Sequence, residues 1–140
     1  MAGSKAFSKG KLSMMNVLIV FLGAGIGGSI RHGVNLLAAR LVGMAFPYGT
    51  LSINIVGSMV MGLCAAYFAF RGADASQPWR LFLTTGILGG FTTFSSFSME
   101  TMLLLEQHGF ARAGAYVLAS VVLCLTGAWA GISIGRQWLA

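Results

Sequence analysis

Two otherwise apolar stretches of the chain carry polar side chains at four-residue intervals. They are Thr50, Asn54 and Ser58 in one stretch, and Tyr116, Ser120 and Cys124 in the other. Residues four apart share one face of an α-helix. Hydroxyl and amide groups aligned on such a face can donate hydrogen bonds to an ion.

The densest polar cluster is the sequence GILGGFTTFSSFSME, residues 86–100. The adjacent Gly89 and Gly90, followed by Thr92 and Thr93, are unfavourable in the interior of a helix. Each Gly costs about 1 kcal/mol there, and β-branched Thr adds conformational restriction. The sequence therefore predicts a helix break at Gly89–Thr92. Backbone carbonyls released at membrane depth must face protein or a cavity, and broken helices often form ion sites.

Three aromatic rings in this cluster, Phe91, Phe94 and Phe97, recur every three residues and share a face. Hydroxyl groups are interleaved with them, at Thr92, Thr93, Ser95, Ser96 and Ser98. Hydroxyl donors together with the positive edges of the rings suit a small anion rather than a cation. The structural alternative is that the rings face lipid or core and the hydroxyls bond their own helix.

The composition indicates which elements position these groups. Of the 140 residues, nine are Lys or Arg, three are Asp or Glu, and 56% are hydrophobic. Soluble domains carry about 25% charged residues, and disordered chains are poor in apolar residues. A soluble enzyme and a disordered chain are both excluded, and the thinly spread basic residues do not indicate nucleic acid. The chain is predicted to be an all-α integral membrane protein.

Four apolar runs are long enough to cross a bilayer core as helices. They are residues 15–39, 48–70, 81–99 and 113–135, joined by short loops that make neighbouring spans antiparallel. Residues 1–14 are predicted to be a disordered basic tail, and residues 15–140 the transmembrane domain. Small residues at helical spacing predict faces where helices pack closely. They are Gly23 and Gly27, Ser58 and Gly62, and Gly127, Gly131 and Gly135.

The distribution of basic residues leaves the orientation of the spans open. Without the tail, one side carries Arg71, Arg80 and Arg136, and the other carries Arg40 and Arg112. Such a near balance is what a protein inserting in both orientations shows. Counting the three Lys of the tail instead favours both termini in the cytoplasm.

Few other side chains could do chemistry. Cys64 and Cys124 have no metal or disulfide spacing, and His32 and His108 have no ligand partners. No nucleophile–base pair is evident, so an enzyme is not expected. Arg31 and Glu100, near the ends of their spans, either snorkel or pair with each other, or they line a vestibule where Arg31 concentrates anions.

Three blocks, taken in order, resemble the Fluc fluoride channels, also called CrcB or camphor-resistance proteins. They are GAGIGGSIRH (residues 23–32), GTLSINIVGS (49–58) and GILGGFTTFSSFSME (86–100). The resemblance runs from about residue 15 to the C-terminus. It implies a fluoride-selective channel that exports F⁻ passively across the inner membrane of the cell.

The resemblance also implies an architecture and a set of site residues. The subunits would form an antiparallel, dual-topology homodimer with two pores. The fluoride pathway would be lined by Asn54, Phe94, Phe97, Ser95, Ser96, Tyr116 and Ser120, and the vestibule by Arg31, Thr50 and Glu100. Backbone carbonyls of Gly89 and Thr92 from both subunits would hold a central structural Na⁺.

The chain departs from the family pattern at Cys124, where another hydroxyl is expected, at His32 and at Ser96. A small four-span multidrug/proton antiporter is the main alternative function. That mechanism needs a carboxylate in the first span, and none is present. A purely structural subunit held by glycine faces would leave the clustered hydroxyls without a purpose.

Overall fold

A computed structural model describes residues 14–71 and 77–139 of the chain. All regular structure in these residues is helical: α1 (Met14–Val42), α2 (Tyr48–Arg71), α3 (Gln77–Arg80), a π-helical segment (Leu81–Leu88), α4 (Gly89–Phe91), α5 (Phe94–His108) and α6 (Phe110–Leu139). The predicted basic tail lies outside the described residues, apart from its last residue, which begins α1.

Within the described residues, three helices are long and apolar enough to cross a membrane: Met14–Val42, Tyr48–Phe70 and Phe110–Trp138. Large apolar side chains point outward from them, among them Phe21 and Trp129, which are 72% and 69% exposed. Such continuous apolar exposure is suited to lipid and not to water. The protein is therefore a multi-pass membrane protein.

The predicted third span is divided in two by a break. The chain is helical from Gln77 to Phe91, and helix resumes at Phe94. The break covers Thr92 and Thr93, so it overlaps the predicted Gly89–Thr92 only at Thr92. Gly89 is helical, with φ −64° and ψ −36°, whereas Thr92 is extended, with φ −76° and ψ 157°. Gly90 stays helical in close contact with α1, where an added Cβ would lie 2.8 Å from the Ala24 Cα.

The helix before the break is wound more loosely than an α-helix. The Gly89 N–H reaches the Thr84 carbonyl five residues back, and the Thr84 hydroxyl donates to the Arg80 carbonyl at 2.8 Å. Such π-helical segments are rare in proteins, but those that occur often lie at functional sites.

Glycines set the distances between the helices, as predicted. A Cβ at Gly23 of α1 would lie 2.8 Å from the Gly86 Cα in the π-helical segment. Between α2 and α6, a Cβ at Gly131 would collide with the Met59 carbonyl, and one at Gly62 with the Ala128 carbonyl. The close-packing faces predicted for these glycines are confirmed.

The connection before the last helix is much shorter than predicted. The helix α5 continues to His108, and α6 begins at Phe110, so Gly109 alone joins them. Its φ of +82° allows a sharp reversal that other residues rarely adopt. The predicted start of the last span at Ala113 was wrong, because the residues around Arg112 continue the helix. Similarly, α1 runs to Val42, beyond the predicted end at Ala39.

Candidate functional site

Asn54 of α2 holds the break in the third segment. The Thr93 N–H donates to Asn54 Oδ1 at 2.9 Å, and Asn54 Nδ2 donates to the Thr93 carbonyl at 3.1 Å. In an uninterrupted helix the Thr93 N–H would bond the Gly89 carbonyl instead. The side-chain amide therefore replaces helical hydrogen bonding at the residue where the helix stops.

Thr93 is also the N-cap of α5. Its Oγ1 accepts from the Ser96 N–H at 3.2 Å and donates to Ser96 Oγ at 3.1 Å. The Ser95 hydroxyl lies 3.2 Å from the same oxygen. Thr is a favoured N-cap because its hydroxyl satisfies an otherwise unpaired N–H of the first turn. The hydroxyls of Ser95 and Ser96 thus belong to a capping network around Thr93.

A second polar cluster joins three helices at Glu100 of α5. The Thr50 hydroxyl donates to Glu100 Oε1 at 2.7 Å, and the Tyr116 hydroxyl donates to Oε2 at 2.8 Å. Thr50 and Tyr116 are 1% and 0% exposed. Both carboxylate oxygens of Glu100 are thereby hydrogen-bonded, and the cluster connects α2, α5 and α6.

Aromatic rings surround this cluster. Tyr116 lies between Phe46, whose centroid is 5.5 Å away edge-on, and Phe97, at 5.3 Å. Phe97 in turn lies 5.4 Å from Phe94. The rings form a connected series from the inside of the bundle to its surface, since Phe94 is 79% exposed.

A cavity of about 480 Å³ lies beside this aromatic series, and we call it the inner cavity. Its polar lining comes from α2, the break, and α6: Asn54, Ser58, Thr92, Thr93, Ser120 and Cys124. Phe94 and Phe97 line it as well. The cavity thus combines an amide, hydroxyls and phenyl rings with no charged side chain among its lining residues.

Ser120 is the distinctive polar group of the inner cavity. It is only 6% exposed, and its Oγ is buried without a hydrogen-bond partner among the described residues. Buried polar groups are nearly always paired, and an exception calls for an explanation such as an absent ion or water. Ser120 is therefore a lining residue of the cavity whose buried hydroxyl has unused hydrogen-bonding capacity.

A second cavity of about 540 Å³, the outer cavity, lies at the end of the bundle where α1 meets α2. It is lined by Thr50 and Glu100, and by the polar side chains of His32, Asn35, Gln107 and His108. Thr50 precedes Asn54 by one helical turn, and Tyr116 precedes Ser120 by one turn. The Thr50–Glu100–Tyr116 cluster therefore lies about one helical turn from Asn54 and Ser120, which line the inner cavity.

Three further predicted site residues are Arg31, Gly89 and Thr92. Arg31 is half-buried but lines neither cavity, and both Glu100 oxygens accept hydrogen bonds from hydroxyls. The described residues therefore do not form the Arg31–Glu100 ion pair that was one of the predicted alternatives. Gly89 is exposed on the bundle surface, and the Thr92 hydroxyl donates to the Leu88 carbonyl at 2.9 Å.

Sequence reasoning missed the roles of two residues. Thr93, counted only among the hydroxyls, is both the partner of Asn54 and the N-cap of α5. A Thr directly ahead of a helical run could have indicated this cap, because Thr is a favoured N-cap residue. Phe46, which packs on Tyr116, lies in the predicted first loop and carries no such signal.

The fold and the site together define a class: multi-pass helical membrane proteins with a cavity lined by neutral polar groups and phenyl rings. A family model described as CrcB-like protein, Camphor Resistance (CrcB), matches residues 18–132. The chain belongs to this family.

Several relatives are similar over nearly their whole length. A protein of Methylobacterium nodulans named fluoride-specific ion channel FluC is 58% identical over 125 residues, 89% of this chain and 99% of the relative. FluC 2 of Nitrobacter hamburgensis is 53% identical, covering 88% and 98% of the two chains. FluC of Coxiella burnetii is 50% identical, covering 88% and 99%.

Proposed function

We propose that this protein is a fluoride channel that lets F⁻ leave the cytoplasm passively, down its electrochemical gradient, and so relieves fluoride toxicity. The relatives named as fluoride-specific channels support the ion. The observation that carries the proposal is the buried, unpartnered Ser120 hydroxyl in the inner cavity. A free donor among neutral side chains is what a dehydrated anion requires.

The energetics favour neutral donors over a fixed charge. Moving a carboxylate-sized ion into a medium of low dielectric constant costs about 20 kcal/mol, and small fluoride costs at least as much. Conduction needs groups that replace the hydration shell yet release the ion. The Ser120 hydroxyl, the Asn54 N–H not used by Thr93, and the edges of Phe94 and Phe97 meet this need. None of them carries a charge that would trap the ion.

The outer cavity and the Thr50–Glu100–Tyr116 cluster form the vestibule end of the proposed pathway. The hydroxyls of Thr50 and Tyr116 both donate to Glu100. Fluoride is itself a strong acceptor and competes for the same donors as it passes. Arg31, elsewhere on α1, raises the anion concentration at the mouth through its charge.

The working unit in this proposal is an antiparallel, dual-topology homodimer with two pores, in the inner membrane. Residues 77–108 cross the bilayer as a broken helix, the third of four spans in each subunit. Phe94, which lines the inner cavity, is 79% exposed in a single chain. A second copy would cover this ring and complete the wall of the pathway. The near balance of Arg residues between the two sides supports insertion in both orientations.

A central Na⁺ is the proposed cofactor of the dimer, and the break fits it. Because the Thr93 N–H donates to Asn54, it does not occupy the Gly89 carbonyl, and Gly89 is exposed where a partner would lie. The carbonyls of Gly89 and Thr92 from both subunits would hold the ion. Bound Na⁺ would offset the dipoles of these carbonyls and tie the subunits together.

A flux assay on purified protein in liposomes tests the function. With a K⁺ ionophore clamping the voltage, we expect rapid release of trapped fluoride and retention of trapped chloride. Liposomes that hold fluoride as tightly as protein-free ones would refute the channel. Drug-driven proton exchange without fluoride flux would favour the antiporter instead. Crosslinking between oppositely oriented copies tests the dimer, and replacing Na⁺ by a bulky organic cation tests the central ion.

A further inference from the structure

Both histidines of the chain line the outer cavity, although they come from different helices. His32 lies on α1, and His108 lies in the last turn of α5. Both side chains are exposed, so water in the cavity can exchange protons with them. The two imidazoles have no part in the hydrogen-bonded cluster around Glu100.

Helical spacing places each imidazole on a face that lines the cavity. His32 shares a face of α1 with Asn35, three residues on, and both line the cavity. His108 shares a face of α5 with Leu104 and Glu100, four and eight residues earlier. At 1.5 Å per residue, His108 lies about 12 Å along the helix from Glu100. Two imidazoles and one carboxyl group therefore share one water-accessible space.

Few other titratable groups lie near this space. The π-helical segment and α4, which pack on α1, contain none. From α2, Tyr48 lines the cavity. At the start of α6, Arg112 is exposed and Tyr116 donates to Glu100. The charged neighbours on the histidines' own helices line neither cavity; they are Arg31, Arg40 and Glu106.

The charge of the cavity lining therefore depends on the two histidines. Glu100 is the one acidic residue among the described residues that line it, and none of them is Lys or Arg. Histidine ordinarily gains its positive charge within the range from pH 8 to pH 5. Each proton bound adds one positive charge, and positive charge in a cleft raises the local concentration of anions and their rate of entry.

We propose that His32 and His108 make fluoride release by this protein faster in acid, because proton binding to these imidazoles draws fluoride into the outer cavity. The proposal rests on the proposed channel function and adds a regulation to its vestibule. The two residues act on the approach of the ion, and the neutral donors of the inner cavity act on its passage.

The test measures fluoride release from liposomes that contain the full-length protein, with equal pH on both sides and a K⁺ ionophore clamping the voltage. The quantity compared is the release rate at pH 6 divided by the rate at pH 8. Release from protein-free liposomes is subtracted at each pH, because neutral HF leaks through lipid. We expect a ratio of about three or more for the natural protein.

The variant His32→Gln/His108→Gln keeps polar side chains of similar size that bind no proton in this range, so its ratio should be about one. The matched control is Gln107→Ala, which changes another polar lining residue of the outer cavity but no titratable group. This control should keep the ratio of the natural protein.

Two further measurements distinguish charge from structure. His32→Lys combined with His108→Gln carries a permanent charge, so it should release fluoride faster at pH 8 than the double Gln variant and have a ratio near one. In the natural protein, raising sodium gluconate from about 0.02 M to about 0.5 M on both sides should lower the ratio, because salt screens charge. This salt series needs no variant and decides the question even where a variant fails to fold.

The outcomes separate this inference from the proposed function. Fluoride release with a ratio of one in the natural protein would overturn the inference and leave the channel intact. A double Gln variant that keeps the natural ratio, or a ratio that high salt does not lower, would overturn it as well. Release no faster than from protein-free liposomes at either pH would overturn the channel, and the inference with it.

Discussion

Asn54 and Thr93, 39 positions apart in the chain, are joined by two hydrogen bonds between one side-chain amide and both backbone groups of one residue. The distances are 2.9 Å for Thr93 N–H to Asn54 Oδ1 and 3.1 Å for Asn54 Nδ2 to the Thr93 carbonyl. This pairing fixes the point where the third segment stops being a helix. It also leaves one Asn54 N–H for the inner cavity.

Replacing Asn54 by Asp tests this pairing. The carboxylate keeps an acceptor for the Thr93 N–H but loses the donor and faces the Thr93 carbonyl with a negative charge. We expect the free energy of unfolding to fall by about 1–3 kcal/mol, the range for a lost buried hydrogen bond that leaves its partner unpaired. Fluoride release should fall sharply as well. Denaturant titration in detergent and liposome flux measure the two effects.

The matched control is Ser58→Ala, one turn further along α2. Ser58 lines the same cavity, but it makes no hydrogen bond within the described part of the chain, so its loss should leave the free energy of unfolding nearly unchanged. Equal stability of both variants would mean that Asn54 does not hold the break.

Ser120→Ala should separate stability from transport. The Ser120 oxygen is buried without a partner, so its removal deletes no hydrogen bond and exposes no donor. We expect the free energy of unfolding to stay the same or rise slightly while fluoride release falls. The control is Ser29→Ala on α1, whose hydroxyl only bonds its own helix at the Gly25 carbonyl. Full flux in Ser120→Ala would remove Ser120 from the pathway.

Phe94→Ile should reduce fluoride release while leaving the fold intact. The ring is 79% exposed in a single chain and touches Phe97 at the edge of the inner cavity. An aliphatic side chain covers similar area but has no positive ring edge to offer an anion. Phe21→Ile is the control, because Phe21 is 72% exposed on α1 and lines neither cavity. Equal flux in the two variants would contradict a role for the Phe94 ring.

Gly131→Ala should destabilise the protein through the contact between α2 and α6. The added methyl group collides with the Met59 carbonyl, and overpacking of this kind costs about 1–3 kcal/mol. Gly114→Ala, on the same helix, meets nothing within 4 Å and should be neutral or stabilising by up to about 1 kcal/mol. Thermal unfolding in detergent compares them. A Gly131→Ala variant as stable as Gly114→Ala would contradict the close approach.

The sequence was most informative about features that depend on local residue patterns. The length and hydrophobicity of the runs predicted the three long helices, and the helical spacing of the glycines predicted the faces at Gly23 and Gly131. The four-residue spacing of Thr50 and Asn54, and of Tyr116 and Ser120, correctly indicated shared helix faces. These features follow from periodicity and size alone.

The features that the sequence did not predict depend mainly on contacts between residues far apart in the chain. Poor helix propensity indicated a break near Gly89, but the contact of Gly90 with Ala24 keeps the glycines helical, and Asn54 moves the break to Thr92 and Thr93. The Glu100 cluster depends on hydroxyls from two other helices. The short turn at Gly109 was missed because its positive φ is not visible in the residue pattern.

The helices α2 and α6 touch through main-chain atoms at Gly62 and Gly131, with no side chain between them. The distance between Asn54 on α2 and Ser120 on α6 is accordingly set by peptide groups, which have no rotamers to change. In the proposed channel, a pathway held in this way would keep its width as temperature varies and would exclude a larger halide by rigidity instead of by charge.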